Sequence, residues 1–264
     1  MYNVQNKTVM VTGAAAGLGY KYAEILLRNG AKCVAMIDLP TSNGQSAAAT
    51  LEKEFGSGRA VFYACDVTKA EDLEKTFKKV IDAFEGLDIL INNAGILNDV
   101  YWERTIDVNV KALIRSSFLA MDYMGKHKGG KGGVIVNISS IAGLLPYVIH
   151  PVYVASKHAV LGFSQALADL YDKTNVRILI MCPGLTETAL VENIPNTISA
   201  LVRATLDSIE DEVKKFPRQS SDHVALAMLD LIQKGKNGAV WVSEDGQPPY
   251  AVNFVHYSKR SQPV

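Results

Sequence analysis

Cysteine is scarce in this sequence, and neither sign of charge is in excess. The three cysteines among 264 residues, Cys33, Cys65 and Cys182, form no CxxC motif and stand in apolar runs, so we expect buried thiols and no disulfide framework. Lys and Arg together number 27, as do Asp and Glu, which gives no basic field for nucleic acid or an anionic membrane. The histidines show no metal-ligand spacing, so no metal is expected.

Long hydrophobic runs are also absent. No apolar run reaches the roughly 18 residues that a membrane-spanning helix needs, and the opening residues MYNVQNKTV lack the apolar core of a signal peptide. We therefore expect a cytoplasmic protein without a membrane span. Hydrophobic residues make up 48% of the chain and charged residues 20%, a composition typical of a globular protein with a large core.

Apolar runs alternate with amphipathic helical patterns along the whole chain. The predicted strands are residues 8–12, 32–38, 60–65, 87–92, 134–139, 177–182 and 239–243. The predicted helices are residues 17–29, 42–55, 69–84, 103–125, 152–173, 198–209 and 222–234. Because the strands are almost wholly apolar, both faces of a parallel sheet should be covered by helices. We predict one doubly wound, Rossmann-type α/β domain over residues 1–264, with about seven strands.

A glycine-rich turn, TGAAAGLG at residues 12–19, follows the first predicted strand and opens a helix. Glycine permits a tight turn and a close approach of the backbone to a ligand, and the N–H groups of a helix N-terminus suit a pyrophosphate. Such a turn can also be only a turn, but its place between a strand and a helix favours dinucleotide binding. The candidate cofactor-binding residues here are Gly13, Ala16, Gly17, Leu18 and Gly19.

Asp38 ends the second predicted strand, 19 residues after Gly19. A carboxylate at this point can accept both hydroxyls of an adenosine ribose and repels a 2′-phosphate. No Arg or Lys stands at residues 39–41, and Ala16 is uncharged. The pattern predicts NAD and not NADP as the cofactor; a mere surface aspartate would leave the spacing unexplained.

Tyr153 and Lys157 are four residues apart at the start of a long predicted helix and therefore share a face. Free tyrosine, with a pKa of about 10, is a poor base at neutral pH, but the Lys157 ammonium and an oxidised nicotinamide would both favour its phenolate. Ser140 ends the preceding strand and can hydrogen-bond a substrate oxygen. Ser139 is its neighbour, but only one of the two can face the site because side chains alternate at a strand end.

Taken together, these motifs resemble the short-chain dehydrogenase/reductase family over almost the whole chain. The spacing of 13 residues to Tyr153 matches the family pattern at Ser140. The resemblance implies that Asn109 holds a water that links Lys157 to solvent, so that the catalytic set is Asn109, Ser140, Tyr153 and Lys157. It also implies further cofactor contacts, from Asp66, Val67, Asn93, Ala94, Gly95, Pro183, Gly184, Leu185 and Thr188, besides Tyr153 and Lys157.

Three segments, residues 95–99, 128–133 and 151–163, look like insect alcohol dehydrogenases and 15-hydroxyprostaglandin dehydrogenases, and a fourth, residues 238–246, looks like the insect group. This likeness implies NAD-linked oxidation of a secondary alcohol to a ketone by hydride transfer, with tyrosine as general base. Two alternatives stay open: a carbonyl reductase that works mainly in the reverse direction, and a non-catalytic binding protein on the same fold.

Three apolar segments should meet at the carboxyl edge of the sheet and form a pocket for a lipid-like or aliphatic alcohol. Their residues are Ile96, Leu97, Leu144, Leu145, Tyr147, Ile149, Leu185, Leu190, Val191 and Ile194. Residues 186–216 fit a mobile substrate lid. Ile114, Phe118, Leu161 and Phe163 lie on the long helices outside the faces expected to meet the sheet, and the family resemblance suggests a homodimer through a four-helix bundle.

Overall fold

The computed structural model describes residues 1–260, and its centre is one sheet of eight strands. The strands are β1 (Thr8–Thr12), β2 (Cys33–Asp38), β3 (Ala60–Ala64), β4 (Ile89–Asn92), β5 (Gly133–Ile138), β6 (Val176–Pro183), β7 (Val240–Ser243) and β8 (Tyr250–Ala251). They lie in the order β3-β2-β1-β4-β5-β6-β7-β8. Neighbouring strands from β3 to β7 run parallel, and β8 pairs antiparallel with β7.

The structure confirms the predicted doubly wound α/β fold and adds one strand to the expected seven or so. Strand β8 has two exposed residues, with Tyr250 opposite Val242 and Ala251 opposite Trp241. It covers the edge of the sheet beyond β7. A run this short and exposed has no apolar pattern, so the sequence gives no signal for it.

Helices cover both faces of the sheet. They are α1 (Gly17–Arg28), α2 (Gly44–Phe55), α3 (Ala70–Phe84), α4 (Trp102–Ile106), α5 (Leu113–Met124), α6 (Pro151–Ala168), α7 (Tyr171–Thr174), α8 (Ala189–Glu192), α9 (Ala200–Thr205), α10 (Ile209–Lys214) and α11 (Ser221–Lys234). Within residues 1–260, no helix is long and apolar enough to cross a membrane.

Three of the predicted helices differ from the observed ones. The helix expected at 103–125 is interrupted by a π-helical segment, Asp107–Ala112, between α4 and α5. The helix expected at 152–173 ends at Ala168, and the short α7 follows. The helix expected at 198–209 is only α9, because Leu206 is extended and a second helix, α10, begins at Ile209.

Helix α10 had a signal that the sequence analysis missed. Ser208 caps it by accepting a hydrogen bond from the N–H of Asp211, and Glu210, Asp211 and Glu212 fill its first turn. A serine followed by acidic residues is typical of a helix start, since both complement the free N–H groups.

Successive residues of each strand pack on opposite faces of the sheet. Val9 and Val11 of β1 pack with Leu26 of α1 and Met228 of α11, whereas Met10 packs with Phe77 of α3 on the other face. From β1 the chain continues to β2 and β3 on one side, and from β4 it continues to β5 and β6 on the other. The loops that follow β1 and β4 therefore turn away from each other and leave a crevice at the carboxyl ends of these two strands. The fold therefore places the ends of β1, β2, β4, β5 and β6 around one cleft.

Candidate active site

A cleft of about 470 Å³ opens at this carboxyl edge. Of the residues proposed from the sequence, those that line it are Gly13, Ala16, Gly17, Leu18, Asp38, Asp66, Val67, Asn93, Ala94, Gly95, Ser140, Tyr153, Lys157, Pro183, Gly184, Leu185 and Thr188. Gly19 and Asn109 are not among the residues that line the cleft. The structure thus brings together residues that are as far apart in sequence as the first and the sixth strand.

The glycine-rich turn needs its glycines for two different reasons. Gly13 and Gly17 have φ values of +67° and +55°, in the left-handed region that favours glycine. Gly19 packs against the turn, and a Cβ there would lie 2.0 Å from the carbonyl oxygen of Gly13. Helix α1 has no side-chain cap and no acidic residue in its first turn. Its N-terminal N–H groups are therefore suited to an anionic ligand such as a pyrophosphate.

Asp38 is held at the end of β2 by two backbone N–H groups. Its Oδ2 accepts from Ala15 at 2.8 Å and its Oδ1 from Leu39 at 2.7 Å. These bonds fix the carboxylate while each oxygen keeps a further lone pair for a ribose hydroxyl. Among the described residues that line the cleft, the cationic side chains are Arg104 and Lys157, and both are bound to other partners. Asp38 is therefore positioned to disfavour a 2′-phosphate on an adenosine ribose.

A second carboxylate, Asp66, lies in the same half of the cleft with two partners that the sequence did not suggest. Its Oδ1 accepts from Thr68, and the Arg104 guanidinium lies 3.2 Å from its Oδ2. Burial alone would raise the pKa of Asp66, but the hydrogen bonds from Thr68 and Arg104 outweigh it, so the pKa lies below its ordinary value. Arg104 is 38 residues away in sequence, and no local pattern reveals this pairing.

The segment after β4 is tied to the end of β1. The side-chain amide of Asn93 donates to the carbonyl groups of Thr12 and Gly13 at 2.9 and 3.0 Å, and the N–H of Ala94 donates to the Thr12 hydroxyl at 3.1 Å. A Cβ at Gly13 would come within 2.8 Å of the Cα of Ala94. The loop after β1 and the loop after β4 therefore pack closely against each other at the cleft.

Tyr153 stands in the first turn of α6, facing the end of β5. Tyr153 is 8% exposed, and Ser140 is the side chain that lowers the pKa of its hydroxyl. Ser140 also accepts from the N–H of Ala142 at 3.1 Å. Ser139 instead donates to the carbonyl of Lys157 at 2.9 Å and holds α6 in place. Ser140, and not its neighbour, is thus the serine whose side chain acts on the tyrosine hydroxyl.

Lys157 lies one turn beyond Tyr153 and is buried. Its Nζ donates to the carbonyl of Ile138 at 3.0 Å and lies 5.5 Å from the centroid of the Tyr153 ring. Burial lowers the pKa of Lys157 to about 8, because desolvation disfavours the charged form.

Burial dominates the pKa of Tyr153 in this structure. It raises that pKa to about 12, and the Ser140 side chain only partly opposes the rise. The reason is that the ring is desolvated while the ammonium is directed to Ile138.

Asn109 belongs to the π-helical segment and is fully buried. Its side chain accepts from the N–H of Ile96 at 2.8 Å and donates to the Ile96 carbonyl at 2.9 Å and to Ser156 at 3.1 Å. It thereby joins the loop after β4 to α6. The expected water contact of Asn109 stays a prediction.

The other half of the cleft is apolar. Of the pocket residues proposed from sequence, those that line it are Ile96, Leu97, Leu145, Tyr147, Leu185, Leu190, Val191 and Ile194. Ile149 is buried in the core instead, and the half-buried Leu144 packs against another core cluster. The ring of Phe216 contacts Tyr147 edge-on, at 5.1 Å between centroids. Thr186 bridges to Gln219, so both ends of the segment 186–216 are fixed beside the cleft.

Asp99 is a buried residue of the site that the sequence analysis missed. Its carboxylate accepts the N–H groups of Val152 and Tyr153 at 2.7 and 3.1 Å, and its own N–H donates to the Thr197 carbonyl at 2.8 Å. Because Thr197 lies in the segment 186–216, Asp99 connects that segment to the N-terminus of α6. Its position on a loop 53 residues before Val152 leaves no sequence signal.

In the described part of the chain, no group of three or more His, Cys, Asp or Glu side chains could hold a metal ion. The three cysteines are buried, as the sequence predicts. The chemistry available in the cleft therefore rests on a polar half with two carboxylates, an apolar half, and Ser140, Tyr153 and Lys157 between them.

Comparison with known proteins gives a consistent result. The family model for short chain dehydrogenases matches residues 7–199. A human 15-hydroxyprostaglandin dehydrogenase [NAD(+)] is 40% identical over 243 residues, 90% of this chain and 91% of that protein. Alcohol dehydrogenase 1 of Ceratitis capitata is 31% identical over 249 residues, 92% of this chain and 94% of that protein. The crystal structure of a short chain dehydrogenase from Burkholderia cenocepacia in complex with NADP has a TM-score of 0.73 and 26% identity, and the match covers 92% of this chain and 98% of that one.

Proposed function

This chain belongs to the short-chain dehydrogenase family, and from that premise we propose that it oxidises a secondary, lipid-like or aliphatic alcohol to a ketone with NAD. The observation that carries the proposal is the division of the cleft. A polar half with Asp38 meets an apolar half, and Ser140, Tyr153 and Lys157 stand at the junction. Family relatives that are 15-hydroxyprostaglandin dehydrogenases [NAD(+)] and alcohol dehydrogenases support this reaction and cofactor.

The residues of the polar half fit a dinucleotide. The uncapped N-terminus of α1 suits the pyrophosphate, and Asp38 suits the adenosine ribose and opposes a 2′-phosphate. Pro183, Gly184, Leu185 and Thr188 line the cleft, and we expect them to hold the nicotinamide amide. NAD held there would supply the acceptor for the hydride of the carbinol carbon and, in its oxidised form, a positively charged ring.

Tyr153 acts as the general base that takes the proton of the substrate hydroxyl. Its pKa, raised to about 12 by burial, must fall in the working enzyme. The Lys157 ammonium and the positive charge of the oxidised cofactor both act in that direction. Ser140 lines the cleft together with Tyr153, so it can orient a substrate oxygen beside the tyrosine hydroxyl. Lys157 is also suited to bind the nicotinamide ribose hydroxyls. A water held by Asn109 would link Lys157 to solvent and carry the proton away.

The apolar half suits the carbon chain of the alcohol. Leu97, Leu145, Val191, Ile194 and Phe216 give this half few groups that can hydrogen-bond, which favours an aliphatic or lipid-like chain over a sugar. We expect the segment 186–216 to open for entry and to close over the bound substrate.

A homodimer is part of the proposal. Phe118 of α5 is 53% exposed and packs edge-on against Phe163 of α6, with 5.7 Å between ring centroids. Two such faces can bury each other across a two-fold axis. A cytoplasmic location stays a prediction of the sequence.

The test is a substrate panel with NADH formation as the readout, using short aliphatic, terpenoid, steroid and prostanoid secondary alcohols. We expect turnover with at least one long apolar alcohol. The matching ketones with NADH examine the reverse direction, and faster reduction at neutral pH would favour the carbonyl reductase. NAD binding without turnover of any member in either direction would favour the binding protein.

A further inference from the structure

Thr197 is a buried residue in the middle of the segment 186–216, and it is not among the residues that line the cleft. We propose that Thr197 is a positioning residue through which the carbon chain of the substrate, bound at Ile194, orients Tyr153 for proton transfer. The inference rests on the proposed oxidation of a lipid-like alcohol and deepens it, because it makes the rate of the chemical step depend on the length of that alcohol.

A short turn connects Thr197 to the apolar half of the cleft. Ile194 lines the cleft and is buried. Its carbonyl accepts the N–H of Thr197 at 3.1 Å and the Thr197 hydroxyl at 3.0 Å. These two bonds close the turn of 3-10 helix over Ile194–Asn196, so a displacement of Ile194 displaces Thr197 as well.

The Thr197 hydroxyl holds the residue just before α6. It lies 2.9 Å from Nε2 of His150, and the His150 carbonyl accepts the first hydrogen bond of the helix, from the N–H of Val154 at 3.0 Å. Because the hydroxyl donates its one proton to Ile194, it accepts from Nε2. Thr197 and His150 are both buried, so loss of the hydroxyl would leave the Nε2–H of His150 unpaired.

The Thr197 carbonyl holds α6 through Asp99. It accepts the N–H of Asp99 at 2.8 Å, and the Asp99 carboxylate accepts the N–H groups of Val152 and Tyr153 at 2.7 and 3.1 Å. The first N–H groups of a helix have no partner within the helix, so these bonds fix the angle at which α6 begins. Tyr153 stands in that first turn, and its direction therefore depends on where Thr197 lies.

A long substrate chain can act through this connection. Ile194 and Tyr153 belong to one buried apolar cluster, but apolar packing is non-directional, whereas the hydrogen bonds through Thr197 have a defined geometry. Displacement of a reacting group by about 1 Å can lower a rate about a hundredfold. Contact of the chain with Ile194 then contributes to the rate of the chemical step and not only to affinity, as remote parts of a substrate do in other enzymes.

Single-turnover kinetics at saturating NAD and alcohol test the inference, because they separate the chemical step from substrate binding and product release. The probes are decan-2-ol and butan-2-ol, which share the reacting carbinol group and differ in the chain that can reach Ile194. We expect the wild-type protein to form NADH at least about tenfold faster from decan-2-ol than from butan-2-ol. This ratio should fall at least about threefold in Thr197→Val, in which the carbonyl bond to Asp99 remains. Thr197→Ser keeps the hydroxyl and should retain the ratio.

Thr205→Val is the matched control. Thr205 is an exposed threonine of the same segment, and its hydroxyl donates to the carbonyl groups of Leu201 and Val202 in its own helix, so its loss should leave the ratio unchanged. If Thr197→Val does not fold, Thr197→Ala removes the same hydroxyl without placing a methyl group beside His150.

The ratio of the two rates separates coupling from stability. A merely structural role of Thr197 would slow both alcohols by the same factor, and an unchanged ratio in Thr197→Val would overturn the inference. A wild-type protein that oxidises other secondary alcohols but shows no preference for decan-2-ol also overturns it, while the proposed function stands. No oxidation of any secondary alcohol would refute the proposed function itself.

Discussion

The stability of the protein should depend on pH through His150, the residue just before α6. Its side chain is fully buried, and Nε2 lies 2.9 Å from the Thr197 hydroxyl. That hydroxyl donates to the Ile194 carbonyl, so it accepts from His150 and Nε2 carries the proton. Nδ1 is buried without a hydrogen-bond partner among residues 1–260. Protonation would thus place an unpaired N–H and a charge in the interior.

The size of the effect follows from the pKa of His150. Burial lowers it from 6.5 to about 4, so between these values the unfolded chain binds a proton that the folded protein does not. Stability contributed by the neutral ring is complete above about pH 6.5 and is lost as the pH falls toward 4. The difference corresponds to about 2 kcal/mol of unfolding free energy lost by about pH 5, and about 3 kcal/mol at the limit.

Guanidinium denaturation at about pH 7.5 and about pH 5 measures this loss. His150→Gln cannot titrate but keeps an amide that can reach Thr197, so its stability should decline with acid by about 2 kcal/mol less than that of the wild type. His158→Gln, an exposed histidine on the same helix, should behave as the wild type. Equal acid sensitivity in the wild type and His150→Gln would refute the reasoning.

Three further predictions concern the cofactor, a buried tyrosine hydroxyl and the assembly. Asp38→Asn should lower the preference for NAD over NADP at least about tenfold, or about 1.4 kcal/mol; steady-state kinetics with both cofactors measures it, and an unchanged preference contradicts the assignment. Tyr147→Phe should stabilise the protein by about 1 kcal/mol in chemical denaturation, because its buried hydroxyl has no hydrogen-bond partner among residues 1–260; a loss of stability would show that the hydroxyl is paired. Phe118→Glu should give monomers in analytical ultracentrifugation, and a wild-type protein that is already monomeric would rule out the dimer.

Most of the fold can be predicted from the apolar pattern and from the residues that favour turns. The strands are predictable because β1 and β4 are buried along their whole length, and a wholly apolar run can be detected without knowing its partners. The breaks in the long helices are not predictable in this way. The π-helical segment Asp107–Ala112 coincides with the bonds from Asn109 to Ile96 and Ser156, which are tertiary contacts.

The residues of the candidate site likewise fall into two groups, those with a local sequence signal and those without one. Gly13, Asp38, Tyr153 and Lys157 stand at strand ends and helix starts, where residue type and spacing limit the possible roles. Arg104 and Asp99 act through contacts with residues 38 and 53 positions away, which no local pattern encodes. The pKa of Tyr153 is likewise raised by burial, a property of the folded chain that residue type and spacing do not show.

The central claim is that Tyr153 removes the proton of the alcohol, and Tyr153→Phe tests it most directly. The variant keeps the ring and its packing but loses the titrating hydroxyl. We predict that NADH formation with a substrate found in the panel falls at least about a hundredfold, while NAD binding by titration stays unchanged. Lys157→Ala should lose turnover and also bind NAD more weakly. Near-normal oxidation by Tyr153→Phe across about pH 7–10 would contradict the account.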